Sequence, residues 1–242
     1  MPPNRVGETV FHYVAPVNRR GIQLAGLAGV ASFVLIVVAA LVAPPLWDAP
    51  GSTASAVEVA AYAQDNRGRT IAGLFIYSLA FGLFLWFAAG LWSWMRRSEP
   101  APHTGSSVFA FNAVSLTTLI FAAFAVGGVL VYRPWEPELA QALNDLLFGL
   151  LALSGIPTAV CLGAYADFVL RRGGLPAWTG WLAMVGAIAH VAIAASFVNR
   201  SGLLSLEGEI ILLAPGTFFA WILVASVALL KAQDSPGSRQ SL

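Results

Sequence analysis

Charge is scarce in this chain, and so are the residue types that do chemistry. Only 10% of its 242 residues are charged, against about 25% in soluble domains, so the polar coat of a water-soluble protein is missing. The single lysine, Lys231, follows a leucine. That excludes a phosphate-cradling loop ending in Gly-Lys-Ser/Thr, and ATP-driven pumping with it. The single cysteine, Cys161, excludes an internal disulfide and a cysteine-based zinc site. The three histidines, His12, His103 and His190, fall in a tail, a connection and an apolar run. No pair stands one turn apart, as a metalloprotease helix requires, and a bis-His haem fails unless two chains contribute. Neither a metal nor a cofactor is expected. Thirteen basic against twelve acidic residues leave a net charge of +1, which excludes the basic footprint of a nucleic-acid binder.

What is present is apolar: 58% of the residues, with a mean hydropathy of +0.75. A helix needs about 20 such residues to cross the hydrocarbon core. Six runs qualify, at 21–43, 71–95, 108–131, 146–170, 177–198 and 210–230, and only the fourth contains a charge, Asp167. The runs are continuous rather than alternating, so helices are expected and a barrel is not. The expected architecture is an all-α, six-transmembrane-helix bundle, a domain of 21–230 between polar tails 1–20 and 231–242. The charge-free stretch from Gly21 to Trp47 outlasts the roughly 7–15 residues of a signal-peptide core and is read as a span.

Short loops rich in arginine and lysine stay in the cytoplasm. Arg5, Arg19, Arg20, Arg96, Arg97, Arg171, Arg172, Lys231 and Arg239 fall on one side, and Arg67, Arg69, Arg133 and Arg200 on the other. Both termini are therefore expected to be cytoplasmic, in a multi-pass protein of the cell (plasma) membrane. Trp47 and Trp135 are placed at the outer interface and Trp92, Trp94, Trp178 and Trp181 at the inner one, where indole keeps its ring apolar and its N–H wet. That rule leaves Trp86 and Trp221 over.

Between spans one and two the Ala-rich stretch 54–64 is expected to be helical at the outer interface, with Val57 and Tyr62 towards lipid. Residues 136–145 run straight into span four, so that helix is expected to project beyond the bilayer. Glu58-Val59-Ala60 and Glu138-Leu139-Ala140 precede spans two and four, and arginine pairs close both units 75 residues apart, the pattern of a possible two-helix repeat. Pro157 after Gly155 predicts a kink in span four. Small residues recur every fourth position at Gly21, Ala25 and Gly29, at Ala123 and Gly127, at Ala159 and Gly163, and at Ala183 and Ala187. Such faces let helices approach closely in lipid, within one bundle or across a dimer seam.

The Ala-rich outer loop, the entry Leu175-Pro176-Ala177-Trp178-Thr179-Gly180-Trp181 into span five and Ala220-Trp221-Ile222-Leu223 in span six together resemble a group of six-helix bacterial integral membrane proteins known as a domain of unknown function. The resemblance implies six helices and no assigned reaction, and it brings no catalytic residue. Twelve arginines to one lysine, with abundant alanine and glycine, fit a GC-rich bacterial source and an inner-membrane location.

Catalytic patterns are thin. Gly105-Ser106-Ser107-Val108 has a Gly-x-Ser-x form, but Ser107 and His190 lie about 20 Å apart along the membrane normal at 1.5 Å per residue. Proton-coupled transport favours a carboxylate near mid-membrane. Asp167 lies instead near the cytoplasmic surface, one turn from Arg171. It is read as an ion pair with Arg171, or as part of a cytoplasm-facing polar cluster with Asn112. Asn199-Arg200-Ser201 matches a glycosylation acceptor that a bacterial protein leaves idle.

Trp86, His190 and Trp221 fall within about 5 Å of the midplane of their spans, where an N–H needs a partner or a cavity. They are expected either to fill the bundle core, with His190 bonded to a carbonyl or to Ser154 or Thr158, or to line one pocket for an apolar ligand with a single polar group. Three functions stay open: a non-enzymatic membrane component that binds a small apolar molecule, a lipid or a membrane partner; a carrier without ATP or proton coupling; and a lipid-acting enzyme. The bilayer is the expected partner, with a homo-oligomer or a second membrane protein possible. The cation split predicts that, with Cys161→Ser as background, an impermeant thiol reagent on intact cells labels single cysteines at Ser52 and Ser201 and spares one at Gly105; the reverse pattern would overturn the topology.

Overall fold

The structure, a computed structural model, describes residues 19–44, 49–51, 54–99, 101–194, 196 and 210–232. The two tails beyond these bounds, Trp47, Asp48, the Asn199-Arg200-Ser201 motif, Glu207 and Glu209 lie outside the described residues.

The apolar runs become helices α1 (Arg19–Val42), α3 (Arg67–Ser98), α4 (Thr104–Tyr132), α5 (Pro137–Leu153), α6 (Gly155–Arg172), α7 (Ala177–Ala194) and α8 (Ile210–Ala232). The Ala-rich stretch between the first two spans forms α2 (Ala56–Asp65). No strand occurs among the described residues. Six segments are long and apolar enough to cross a membrane, with α5 and α6 counted as one. This is a multi-pass membrane protein.

Helix α2 starts where Ser55 and Glu58 form a capping box: the Glu58 N–H donates to Ser55 Oγ, and the Ser55 N–H donates to Glu58 Oε2 at 2.7 Å. That backbone bond, joined by the Ser55 hydroxyl, holds the Glu58 carboxyl below the usual carboxylate range. The expected helix at 54–64 is present, with Val57 exposed and Tyr62 half-buried. Helix α5 begins at Pro137 and leads into the fourth span as expected. The chain breaks at Ser154, between Leu153 and Gly155, three residues before Pro157, whose ring nitrogen has no hydrogen for the carbonyl four residues back. The two expected repeat units differ here: α2 is set off from α3 at Asn66, whereas α5 continues into its span and breaks inside it.

Each span packs on the next in chain order, α1 on α3, α3 on α4, α4 on α5 and α6, α6 on α7 and α7 on α8, and α8 returns to α1. Short connections make consecutive helices antiparallel neighbours, and closing the circle gives each helix two seams. On one end, α2 lies against α5 and α4 around a small apolar cluster of Ala63, Leu130, Val131 and Ala140.

Lipid is as apolar as leucine, so these seams depend on close contact rather than on the hydrophobic effect. A Cβ on Gly29 would overlap Ser226 Oγ and come within 2.8 Å of the Phe87 ring. One on Gly26 would lie 2.6 Å from Leu230, and one on Gly90 would overlap Ala25. The small faces of spans one and five therefore serve seams inside the bundle, with Ala25, Ala183 and Ala187 buried. Gly163 is different, with open space beside it. Leu35 on α1, half-buried, packs against the core.

Gly29→Leu is expected to cost about 1–3 kcal/mol or to block folding, because the added side chain must displace Ser226 and Phe87. Leu41→Ala, at a residue 78% exposed on the same helix, is expected to leave the melting temperature of the detergent-solubilised protein within a degree or so. Equal melting temperatures for both variants would remove the seam.

Candidate functional site

The centre of the helix ring is filled with aromatic side chains. Trp221 on α8 is fully buried, and around its ring centroid stand Tyr165 at 5.2 Å, Phe218 at 5.8 Å, Phe87 at 5.9 Å and Phe109 at 6.5 Å. Phe84 extends the stack, 5.3 Å from Phe218. The Tyr165 hydroxyl and Thr179 Oγ1 share a hydrogen bond of 2.8 Å, and Thr179 donates to the Pro176 carbonyl. The Trp221 indole N–H interacts with the Tyr165 phenol without reaching hydrogen-bond geometry.

Of the three aromatic residues left over by the membrane rules, the structure brings two together. His190 on α7 is buried, 5.9 Å from Phe218, which stacks on Trp221. Its Nδ1 is 2.8 Å from the Gly186 carbonyl of its own helix. Ser154 and Thr158 turn their hydroxyls to the carbonyls of Leu151 and Ser154. They stay close to His190 through the backbone: a Cβ on Gly155 would lie 2.6 Å from the His190 carbonyl oxygen. Trp86 is not part of this cluster. It is 59% exposed on the outer flank of α3, so a single pocket shared by Trp86, His190 and Trp221 does not form. The rotation of α3 about its axis decides this, since Phe84 and Phe87 point inward and leave Trp86 on the opposite face.

Of the polar cluster, Asp167 and Arg171 pair at 2.6 Å, both well exposed. Asn112 donates to the Val108 carbonyl of its own helix instead. Among the described residues, no three His, Cys, Asp or Glu side chains gather.

At the same end of the bundle, composition gave no sign of a clamp on the connection between α3 and α4. The Glu99 carboxylate accepts the backbone N–H groups of Gly105 at 2.8 Å and Ser106 at 2.9 Å, which are free donors of the first turn of α4. Partial burial pushes the Glu99 carboxyl up, but Ser106, Gly105 and the Arg172 guanidinium outweigh it and hold the group below the usual carboxylate range. Close by, Gly174 at φ +87 takes a left-handed turn, and a Cβ there would meet the Trp94 ring at 2.8 Å.

The exposed Trp86 lines a groove of about 570 Å³ between α1 and α3. Its α3 wall is Gly82, Leu85, Trp86, Ala89, Gly90, Ser93 and Arg97, and its α1 wall is Gly21, Ile22 and Ala25. Along the α3 wall Gly82, Trp86, Ala89, Ser93 and Arg97 recur at intervals of four, three, four and four, and Leu85 and Gly90 flank that stripe. That periodicity is visible in the sequence once Trp86 is taken as the outward anchor. A second, smaller hollow of about 280 Å³ lies under α2, between Val57, Gln64, Leu130 and Trp135.

No family model, curated protein or solved structure matches the chain.

Glu99→Gln is expected to lower thermal stability at neutral pH by loosening the start of α4. The wild-type advantage is complete above the ordinary carboxylate pKa and is lost as pH falls through the lower folded value. Melting curves of the two proteins, taken from neutral to strongly acid pH, should therefore converge; a gap that persists in acid would remove the charge from the account.

Proposed function

We propose that this multi-pass protein is a non-enzymatic component of the plasma membrane that holds a lipid or similar apolar molecule against its flank, with both termini cytoplasmic. The observation that carries the reading is the groove between α1 and α3, which opens sideways where lipid must lie and contains a large exposed indole. Its volume falls within the range of about 300–1,000 Å³ usual for small-molecule sites. The ring interior supports the same reading from the other side. Phe84, Phe87, Phe109, Tyr165, Phe218 and Trp221 occupy the place a carrier's polar path would take, and each is at most 3% exposed.

The orientation rests on cations. Arg96, Arg97, Arg171 and Arg172 close helices at one end of the bundle, the end taken as cytoplasmic. Small residues form the groove because its two helices approach closely: Ala25 lies against Gly90, and no larger pair would fit there.

Gly82 supplies a direct test, because a Cβ there has open space around it, so a larger side chain fills the groove without disturbing a seam. Delipidated wild type offered phosphatidylcholine is expected to bind and retain one molecule when observed intact by native mass spectrometry. Gly82→Leu should lose it, and Gly128→Leu, an equally unhindered change on α4, should keep it. Equal retention by all three proteins would overturn the groove as the site.

A further inference from the structure

The groove is not chemically uniform along its length, and its two ends differ in a way that selects a headgroup. From Gly82 to Arg97 the α3 wall runs fifteen residues, about 22 Å at 1.5 Å per residue. That covers one leaflet's share, about 15 Å, of the hydrocarbon core, with the remainder at headgroup level. The Gly82 to Ala89 part is apolar apart from the Trp86 indole, and the polar groups Ser93 and Arg97 come last.

Neither of those groups has a partner among the described residues. Ser78, Ser115, Thr118 and Ser226 all return their hydroxyls to carbonyls of their own helices. Ser93, half-buried in the groove, makes no such bond among the described residues. Arg97 likewise has no carboxylate, carbonyl or ring partner among the described residues, and the same holds for Arg20, which adjoins the groove residue Gly21. The contrast with the other end of the bundle is sharp. There Arg69 donates to the carbonyls of Val42 and Ala43, Arg67 donates to that of Val131, and Arg133 lies 4.0 Å over the Trp135 ring. Even Arg96, next to Arg97, covers the Trp92 ring at 5.5 Å. Among the described residues, therefore, the unpartnered Arg97 guanidinium stands at the mouth of an apolar slot, with the Ser93 hydroxyl, likewise unbonded, just inside it and Arg20 next in sequence to the lining residue Gly21.

Resting on the lipid reading above, we propose that the α1/α3 groove is a site for an anionic phospholipid of the arginine-rich leaflet. Arg97 and Arg20 hold the phosphate and its negatively charged headgroup, Ser93 meets the ester region, and one acyl chain runs past Ala89 and Trp86 to Gly82. A guanidinium suits this task because its forked donors match phosphate oxygens. A second copy of the chain fits the groove less well. A twofold axis along the membrane normal would set Arg97 at equal depth against its own copy, with no carboxylate on either wall to offset the repulsion.

The test is a competition in which delipidated protein is offered phosphatidylglycerol and phosphatidylcholine of the same chains, and bound species are read by native mass spectrometry. Wild type is expected to prefer phosphatidylglycerol by about fivefold or more per arginine engaged. Arg97→Gln should lose most of that preference while still binding lipid, because the slot is intact. Gly82→Leu should lose both lipids. Equal binding of the two lipids by wild type, or an unchanged preference in Arg97→Gln, overturns the anionic site while the groove stands as a lipid site. Full retention by Gly82→Leu overturns the groove itself. A dimer that dissociates on Gly82→Leu, with no bound lipid in wild type, assigns the groove to a second copy and overturns both.

Discussion

Trp221 is the contact on which the bundle turns. Its ring meets Phe87 from α3, Phe109 from α4, Tyr165 from α6 and Phe218 one turn away on α8, so one side chain ties four helices of the ring together. In water such a core would be held mainly by the expulsion of solvent. In lipid that drive is absent between helices, and what remains is dense packing and the geometry of ring pairs, each worth about 0.5–1.5 kcal/mol beyond area. Several of these pairs are edge-on, the arrangement that sets a positive ring edge on a negative face. The plug fills the centre of the ring, and the groove between α1 and α3 lies on its flank.

Two kinds of close approach allow that plug to form. On α1, Gly26 and Gly29 bring α8 in until Leu230 and Ser226 rest on the helix backbone. On the opposite side, Gly155 lets the start of α6 lie on the carbonyl of His190. The break at Ser154 frees backbone groups, and the local hydroxyls answer part of that: Ser154 donates to Leu151 and Thr158 to Ser154. Most hydroxyls in these spans thus serve their own helix, Ser32, which donates to the Ala80 carbonyl of α3, and the Tyr165–Thr179 pair being exceptions, and Ser93 stands out as unbonded among the described residues.

The arginines divide by task as well as by number. On the side carrying fewer of them, Arg67 and Arg69 close the carbonyl ends of α4 and α1, where the helix dipole favours a cation. On the other side, Arg171 is paired with Asp167 and Arg172 lies near Glu99 and over the Phe168 ring. Arg97 and Arg20 have no such partner among the described residues. A count of cations sets the expected direction of the chain in the membrane, but only the placement of each guanidinium separates structural arginines from those available to a ligand.

Hydropathy alone determined the architecture, because a backbone in lipid has to bond within its own helix and about 20 apolar residues leave no other solution. The short helix expected at 54–64, the projecting α5 and the break beside Pro157 were legible because their signals are local in chain distance. The candidate site was not. His190, Trp221 and Trp86 share a depth in the membrane, and depth follows from counting residues. Whether a residue faces inward or outward depends on how each helix is rotated about its axis, which neighbours decide through contacts distant in sequence. The tertiary structure turned Trp221 and His190 into the plug and Trp86 out to the lipid. It also set Ala25 against Gly90, so that the stripe from Gly82 to Arg97 became the wall of a groove rather than one face of a helix.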